Sequence, residues 1–373
     1  MFSFLRPFIF NLDPEKAHDL AIKSLKYNFL PEKLFYVENE EILKTNLFGK
    51  EIKNPIGLAA GFDKSAEVYN EIFKLGFGFV EVGTVTPKQQ YGNEKPRVFR
   101  LEKDQALINR LGFNNDGSGL IKERIEQNVP NGLLGINIGP NKDTSNMIND
   151  FLECAKVFFP LGNYVTINIS SPNTKGLRDL QKPEILKDLL TKINEIRQVS
   201  NFKKSFLLKI SPDLDDSYIE NILDLMIQFK IDGVILTNTT DGNRETLKDS
   251  NKKETGGLSG KPLRDLSTKL IKRFYIGLNG KIPIGIFDVV LGYEVAHKFQ
   301  HKTSDSIILS HGISEKSFMD HSVTPFKVVG ILNPTATPID RSIFITLEGM
   351  VNRPGKYFIS DGREYKAWYY NFR

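Results

Sequence analysis

From residue 54 onward the chain alternates between short apolar runs of β-forming character and stretches of helical character. The runs are Pro55–Ala60, Phe77–Val82, Leu133–Ile138, Tyr164–Ile169, Phe206–Ile210, Gly233–Leu236 and Ile282–Ile284. Between them lie Lys64–Leu75, Gly119–Gln127, Asn149–Phe159, Glu184–Gln198 and Ser217–Lys230, all with helical patterning. Strands this uniformly apolar are covered on both faces, as in a parallel sheet flanked by helices. Seven such runs in succession predict a closed (β/α)8 barrel of the TIM type rather than an open sheet. No Gly-x-Gly-x-x-Gly follows the first run, which argues against a dinucleotide-binding fold.

Each run ends in polar residues. The first leads into Ala60-Gly61-Phe62-Asp63-Lys64, the second into Gly83-Thr84, and the third ends in Asn137-Ile138-Gly139. The fourth ends in Asn168 and leads through Ser170 and Ser171 to Asn173 and Thr174. The fifth carries Lys209, and the sixth leads into Thr237-Asn238-Thr239. A lone polar residue in a strand is ordinarily a solvated edge. Six strands ending this way would collect at the C-terminal mouth of a barrel, where active sites are built.

The set contains no histidine and no carboxylate pair, so glycosidase and Ser-His-Asp chemistry fit poorly. Side-chain amides both donate and accept, which suits a flat ring edge of alternating C=O and N–H groups. A buried lysine can offset negative charge developing on a reduced flavin. Backbone lined by Ala60 and Gly61 lets a planar group approach closely.

The net charge is +5 and scattered, so nucleic acid is not expected as a partner. The single cysteine, Cys154, rules out a disulfide framework and fits a reducing compartment. No apolar stretch is long enough to span a bilayer, and no secretory leader is expected. Asp13-Pro14-Glu15 is a helix start, followed by an apolar stripe of Ala17, Leu20, Ala21, Ile22 and Leu25. A second short helix is expected after Pro31. Read from residues alone, segment 1–40 is a helical hairpin packed on the main domain; its aromatics and lysines also suit a monotopic membrane contact.

Several motifs are similar, in order, to those of the class 2 dihydroorotate dehydrogenases. They are Leu58–Lys64, Glu81–Pro87, Asn109–Asn115, Gly135–Gly139, Asn168–Thr174, Thr237–Thr240 and Thr255–Gly260, and the resemblance is collinear from residue 1 to about 284. It implies an FMN site at Ala60, Gly61, Phe62, Asp63, Lys64, Thr84, Asn137, Asn168, Lys209, Thr237 and Gly260. Dihydroorotate would be held by Lys64, by the loop Asn109, Arg110, Leu111, Gly112 and Phe113, and by Asn168, Asn173, Asn238 and Thr239. Ser171 resembles the general base; class 1 relatives carry cysteine there. Thr174 and Phe113 would enclose it, as a weak hydroxyl base requires. The resemblance further implies a ubiquinone-type acceptor, membrane contact through residues 1–40, and a place at the cytoplasmic face of a bacterial inner membrane.

After Ile284 the family's glycine-rich turn, eighth strand and following turn are missing, so the barrel is expected to be incomplete after strand seven. Barrels of this kind bind a cofactor phosphate through the loops after strands seven and eight, so poor folding or weak FMN retention is expected. Three domains result: the helical segment 1–40, an FMN-binding barrel over 41–284, and an unrelated β-rich segment over 285–373. Val290–Lys298, Thr303–Gly312, Pro325–Leu332 and Pro338–Ile345 resemble the extracytoplasmic domain of an ABC-type permease. Residues 351–373 match nothing. A divergent barrel end and an inactive chimera of a truncated barrel with a permease fragment both remain open, as does a transport component. Another FMN barrel, such as a tRNA dihydrouridine synthase, would need a basic face that is not seen. His297, His301, His311 and His321 lack metal-ligand spacing, so no metal site is expected.

Overall fold

The computed structural model describes residues 2–29, 43–199, 204–278 and 282, together with short strands between 289 and 344. The chain divides into two compact units. One comprises Asp13–Tyr36 and Thr45–Ile284; the other gathers Met1–Leu12, Val37–Lys44 and Gly285–Asn371.

The larger unit opens with helix α2, Pro14–Lys26; α1, Phe2–Asn11, belongs to the other unit. Asp13 caps α2 as its sequence requires, accepting from the N–H groups of Glu15 and Lys16 at 3.0 Å. The helix is held by Arg97, whose guanidinium meets Glu15 at 2.6 Å, and by Lys26, which meets Glu67 at 2.7 Å. The short helix expected after Pro31 lies outside the described residues.

A hairpin of β1 (Thr45–Leu47) and β2 (Lys50–Ile52) precedes the main sheet. That sheet has six parallel strands: β3 (Gly57–Leu58), β4 (Phe79–Val85), β7 (Leu133–Ile138), β8 (Tyr164–Asn168), β9 (Ser205–Ile210) and β10 (Gly233–Leu236). They lie side by side in chain order, as successive β–α units of a TIM-type barrel do. Of the predicted seventh strand only Ile282 is described, and it is buried.

The helices follow from apolar spacing. In α5 (Met147–Phe158) the buried residues are Phe151, Cys154, Ala155 and Phe158, a stripe at i, i+3, i+4 and i+7. The same spacing recurs as Leu186, Leu189, Leu190 and Ile193 in α6 (Pro183–Val199). It recurs again as Ile219, Ile222, Leu223 and Met226 in α7 (Ile219–Gln228). With α3 (Tyr69–Lys74), α4 (Ser118–Gln127) and α8 (Arg264–Leu278), they pack on the sheet face that presents Val80, Val82, Leu134, Ile136, Val165, Ile167, Leu208 and Ile210.

The opposite face curls inward. Phe79, Leu133, Tyr164, Leu207 and Ile235, one from each of five adjacent strands, pack into a single cluster with Ile52, Leu47 and Phe48 of the hairpin. That cluster closes the N-terminal end of the sheet's concave side. Toward the C-terminal end the same face turns polar.

Two departures from expectation have local causes. Lys64–Leu75 is helical only from Tyr69, because the Asp63 carboxylate accepts from the N–H groups of Glu67 (2.8 Å) and Val68 (2.9 Å) and holds a turn there. A small antiparallel sheet of β5 (Val98–Leu101), β6 (Ala106–Asn109) and β11 (Gly257–Gly260) was not anticipated.

In the smaller unit, β12 (Val289–Leu291), β13 (Ser306–Ile307), β16 (Phe326–Ile331) and β17 (Ile343–Phe344) form one sheet. Strands β14 (Ser310–His311) and β15 (Met319–Asp320) form another. Residues 351–373 lie outside the described residues.

Candidate active site

Side chains pointing to the concave face alternate along each strand: Glu81 on β4, Asn137 on β7, Thr166 and Asn168 on β8, Lys209 on β9. The parallel register places Asn137 beside Thr166 and Asn168 beside Lys209. All five are buried.

Hydrogen bonds join four strands at this level. Thr84 Oγ1 donates to Asn137 Oδ1 at 2.6 Å, and Asn168 Nδ2 donates to Thr84 Oγ1 at 3.0 Å. Asn168 Oδ1 accepts from Ser170 Oγ at 2.8 Å and from Asn238 Nδ2 at 3.3 Å. Asn238 Oδ1 in turn accepts from the Thr239 N–H at 2.7 Å. Thr237 is buried beside it, at the end of β10.

A second group lies on the turn after β8. Ser171 is 5% exposed, and its Oγ accepts from the Asn173 N–H at 3.2 Å. Asn173 Nδ2 reaches Asn109 Oδ1 at 3.2 Å, tying this turn to the end of β6. The Asn109–Phe113 loop is held by its carbonyls. Asn93 Nδ2 donates to Arg110 O at 3.0 Å, and Gln90 Nε2 donates to Gly112 O and Phe113 O at 3.0 and 3.1 Å. A Cβ on Gly139 would come within 3.0 Å of the Phe113 ring and 2.7 Å of Thr84 Cγ2, so that ring sits close to Thr84.

The loop after β3 carries the remaining residues. Gly61 has φ +112°, a conformation that favours glycine, and its N–H donates to Gly83 O at 2.8 Å. Nothing lies within 4 Å of where its Cβ would be, so the backbone beside Ala60 faces open space that a flat cofactor could use. His18 of α2 bonds the Phe62 carbonyl at 2.8 Å and packs edge-on against the Phe62 ring. Lys64 Nζ lies 3.4 Å from His18 Nε2. Burial, above all, lowers the Lys64 ammonium to a pKa of about 8; Glu15 and Asp19 oppose the shift. Burial likewise lifts the Asp63 carboxyl to about 6, against the two amides it caps.

The structure thus brings together Thr84, Asn137, Asn168, Lys209, Thr237, Asn238 and Thr239, with Ser171, Asn173 and Asn109 as a linked second group. Two side chains are engaged elsewhere, and one glycine lies in the small antiparallel sheet. Both Asp63 oxygens hold backbone amides. Arg110 pairs with Glu254 at 2.7 Å and lies over Phe99. Gly260 sits at the end of β11, paired with Ala106. Cys154, buried in α5 with its thiol pKa raised by burial, is remote from nucleophilic use.

Sequence reading missed Glu81, Gln90, Asn93 and Arg178. Arg178 binds the carbonyls of Ser170 (3.2 Å) and Thr239 (2.9 Å) and the carboxylates of Asp213 and Asp241 (3.0 Å each), joining three strand-end loops. Glu81 was legible in principle, as a lone charge inside an apolar run.

Fold and site together define a barrel enzyme with its polar machinery at the C-terminal ends of the strands. The dihydroorotate dehydrogenase family model matches residues 42–288. A dihydroorotate dehydrogenase (quinone) from Psychrobacter sp. (strain PRwf-1) is 43% identical over 289 residues, covering 76% of this chain and 84% of that protein. One from Christiangramia forsetii is 46% identical over 290 residues, covering 76% and 85%. The mitochondrial dihydroorotate dehydrogenase (quinone) of Mus musculus is 44% identical over 300 residues, covering 78% and 75%. The crystal structure of DHODH from Eimeria tenella in complex with ferulenol superposes with a TM-score of 0.69 at 40% identity, over 73% of this chain and 79% of that one. This chain belongs to the dihydroorotate dehydrogenase family. The comparisons give no support to the permease resemblance of residues 288–349, and they favour the enzyme over an inactive chimera.

Proposed function

We propose that this chain oxidises dihydroorotate to orotate, with FMN as its flavin and a ubiquinone-type quinone as the final acceptor, in pyrimidine and UMP biosynthesis. The observation that carries this reading is the hydrogen-bonded run of Asn238, Asn168, Thr84 and Asn137 across four strands, with Ser171 and Asn173 on the adjoining turn. Several amides in fixed orientation suit the alternating carbonyl and N–H edge of a pyrimidine. Lys64 supplies a cation for the substrate carboxylate, and Asn109, Asn173 and Thr239 complete the cradle.

FMN, when bound, supplies the acceptor for the hydride that leaves C6. Ala60, Gly61, Thr84, Asn137, Asn168, Lys209 and Thr237 are the residues that would hold it, and Gly260 is included by resemblance. The open space at Gly61 and the amide-rich donor set fit such a group. Lys209, buried at a strand end, is suited to offset negative charge beside the ring.

Ser171 Oγ takes the C5 proton as its own hydroxyl proton passes on through the enclosed site to solvent. A hydroxyl is a weak base in water, and its burial beside the Asn173 N–H supports a role in an enclosed site.

Leu20, Tyr27 and Phe29, on and just after α2, are exposed large apolar residues, and they support peripheral contact with a membrane that delivers the quinone. Among the described residues no helix is long and apolar enough to cross one. The reading places the protein at the cytoplasmic face of a bacterial inner membrane.

Orotate formation from dihydroorotate with a soluble ubiquinone analogue tests the activity. Ser171→Ala is expected to lose about 10²- to 10⁴-fold in kcat while the flavin content stays unchanged. Undiminished turnover in that variant would remove Ser171 from its assigned role.

A further inference from the structure

One buried carboxylate of the concave face has no part in the proposed reaction. Glu81 is 4% exposed, and its two oxygens accept from Asn137 Nδ2 and Thr166 Oγ1, each at 2.9 Å. Burial, and after it the Glu81 charge, hold the Tyr164 hydroxyl well above the ordinary tyrosine range. Two donors on neighbouring strands therefore converge on this one acidic group.

A carboxylate can only accept hydrogen bonds, whereas a side-chain amide presents a donor on one side and an acceptor on the other. Glu81 therefore decides which way Asn137 lies. With the Asn137 NH2 turned to Glu81, its Oδ1 faces the strand ends and accepts from Thr84 Oγ1 (2.6 Å) and Asn168 Nδ2 (3.2 Å). Thr84 Oγ1, having donated its proton, accepts from Asn168 Nδ2 at 3.0 Å. Asn168 is thereby turned so that its Oδ1 accepts from Ser170 Oγ and Asn238 Nδ2. Every donor in the chain points back toward Glu81. A neutral amide at position 81 could donate or accept, and both senses of the chain would become accessible.

We propose that Glu81 is a positioning residue that sets the sense of the Asn137–Thr84–Asn168–Asn238 chain, and so decides which ring edges the Asn168 and Asn238 amides can recognise. This rests on the pyrimidine reading of the site.

The test uses FMN-loaded protein and orotate binding by calorimetry beside dihydroorotate turnover. Glu81→Gln, nearly isosteric, is expected to weaken orotate binding and kcat/KM by about tenfold or more, with its thermal midpoint near that of the natural protein. Thr166→Val removes a donor to Glu81 but leaves Asn137 engaged, and is expected to stay within about twofold of the natural protein. In an Asn137→Ala background, Glu81→Gln is expected to add no further loss, because its effect passes through Asn137.

Unchanged orotate affinity in Glu81→Gln, or a further tenfold loss in the Asn137→Ala background, would overturn the proposal. Neutron diffraction of the natural protein tests it without a variant. Deuterons should lie on Asn137 facing Glu81, on Thr84 facing Asn137 and on Asn168 facing Thr84; a reversed amide overturns it. If the natural protein neither binds orotate nor oxidises dihydroorotate, the pyrimidine reading itself fails and takes this role with it. Binding that is intact in both proteins removes only the role of Glu81.

Discussion

Lys64 is held where its charge is weak. Burial lowers its pKa to about 8, and the neighbouring His18 imidazole is lowered too, first by burial and then by the Lys64 charge. Between about 8 and the ordinary 10.5, the unfolded chain keeps a proton that the folded chain has lost, so this group makes stability rise with pH across that window. Ligand binding runs the other way, because a substrate carboxylate calls for the ammonium form. Orotate affinity is therefore expected to be flat below about pH 7.5 and to fall toward about tenfold per pH unit beyond 8. Lys64→Arg, always charged, should abolish that fall. A pH-independent affinity in the natural protein would show that Lys64 does not meet the carboxylate.

At the scale of elements, the concave face of the sheet is graded. Phe79, Leu133, Tyr164 and Leu207 fill its N-terminal end, and amides, Glu81 and Lys209 occupy the C-terminal end. Glycine makes the grading possible at one place. A Cβ on Gly135 would lie 2.0 Å from the Tyr164 ring, which packs over β7 there. Gly135→Ala is expected to cost about 1–3 kcal/mol by overpacking, read as a lower denaturation midpoint with unchanged slope. A neutral result would mean that the Tyr164 ring moves freely.

The same elements show what a sequence can reveal. Leu133–Ile138 and Gly233–Leu236 were predicted residue for residue, because strands covered on both faces are marked by unbroken apolar runs. Asp13 and its helix were legible because a cap followed by proline is a local signal. The antiparallel sheet of β5, β6 and β11 was not, since its third strand pairs with residues some 150 positions away and has no periodicity of its own. Within the site, residue types at strand ends were legible, but their bonds were not. Glu81 sits two positions before Gly83 in a run read as core, and only the register of β4 against β7 shows that it faces Asn137. Asp63 was read as a cofactor contact, and its carboxylate is spent on capping a turn.

For the whole molecule, the family match ends at residue 288, and the relatives reported above cover 76–78% of the chain. Strands β3, β4, β7, β8, β9 and β10, with the turns that follow them, carry most of the residues proposed to hold the ring. The loops expected to bind the cofactor phosphate follow strands seven and eight and lie outside the described residues. After Ile284 the sequence lacks the family's glycine-rich turn and eighth strand, so FMN is expected to exchange readily, and assays should contain it in excess. In the proposed function, six neighbouring strands deliver amides, lysines and one hydroxyl to a common site for a pyrimidine and a flavin. The most direct measurement is a single anaerobic turnover of FMN-supplemented protein with dihydroorotate. The visible flavin band is expected to bleach as one orotate forms per bound flavin. Protein that binds FMN yet neither bleaches nor forms orotate would contradict it.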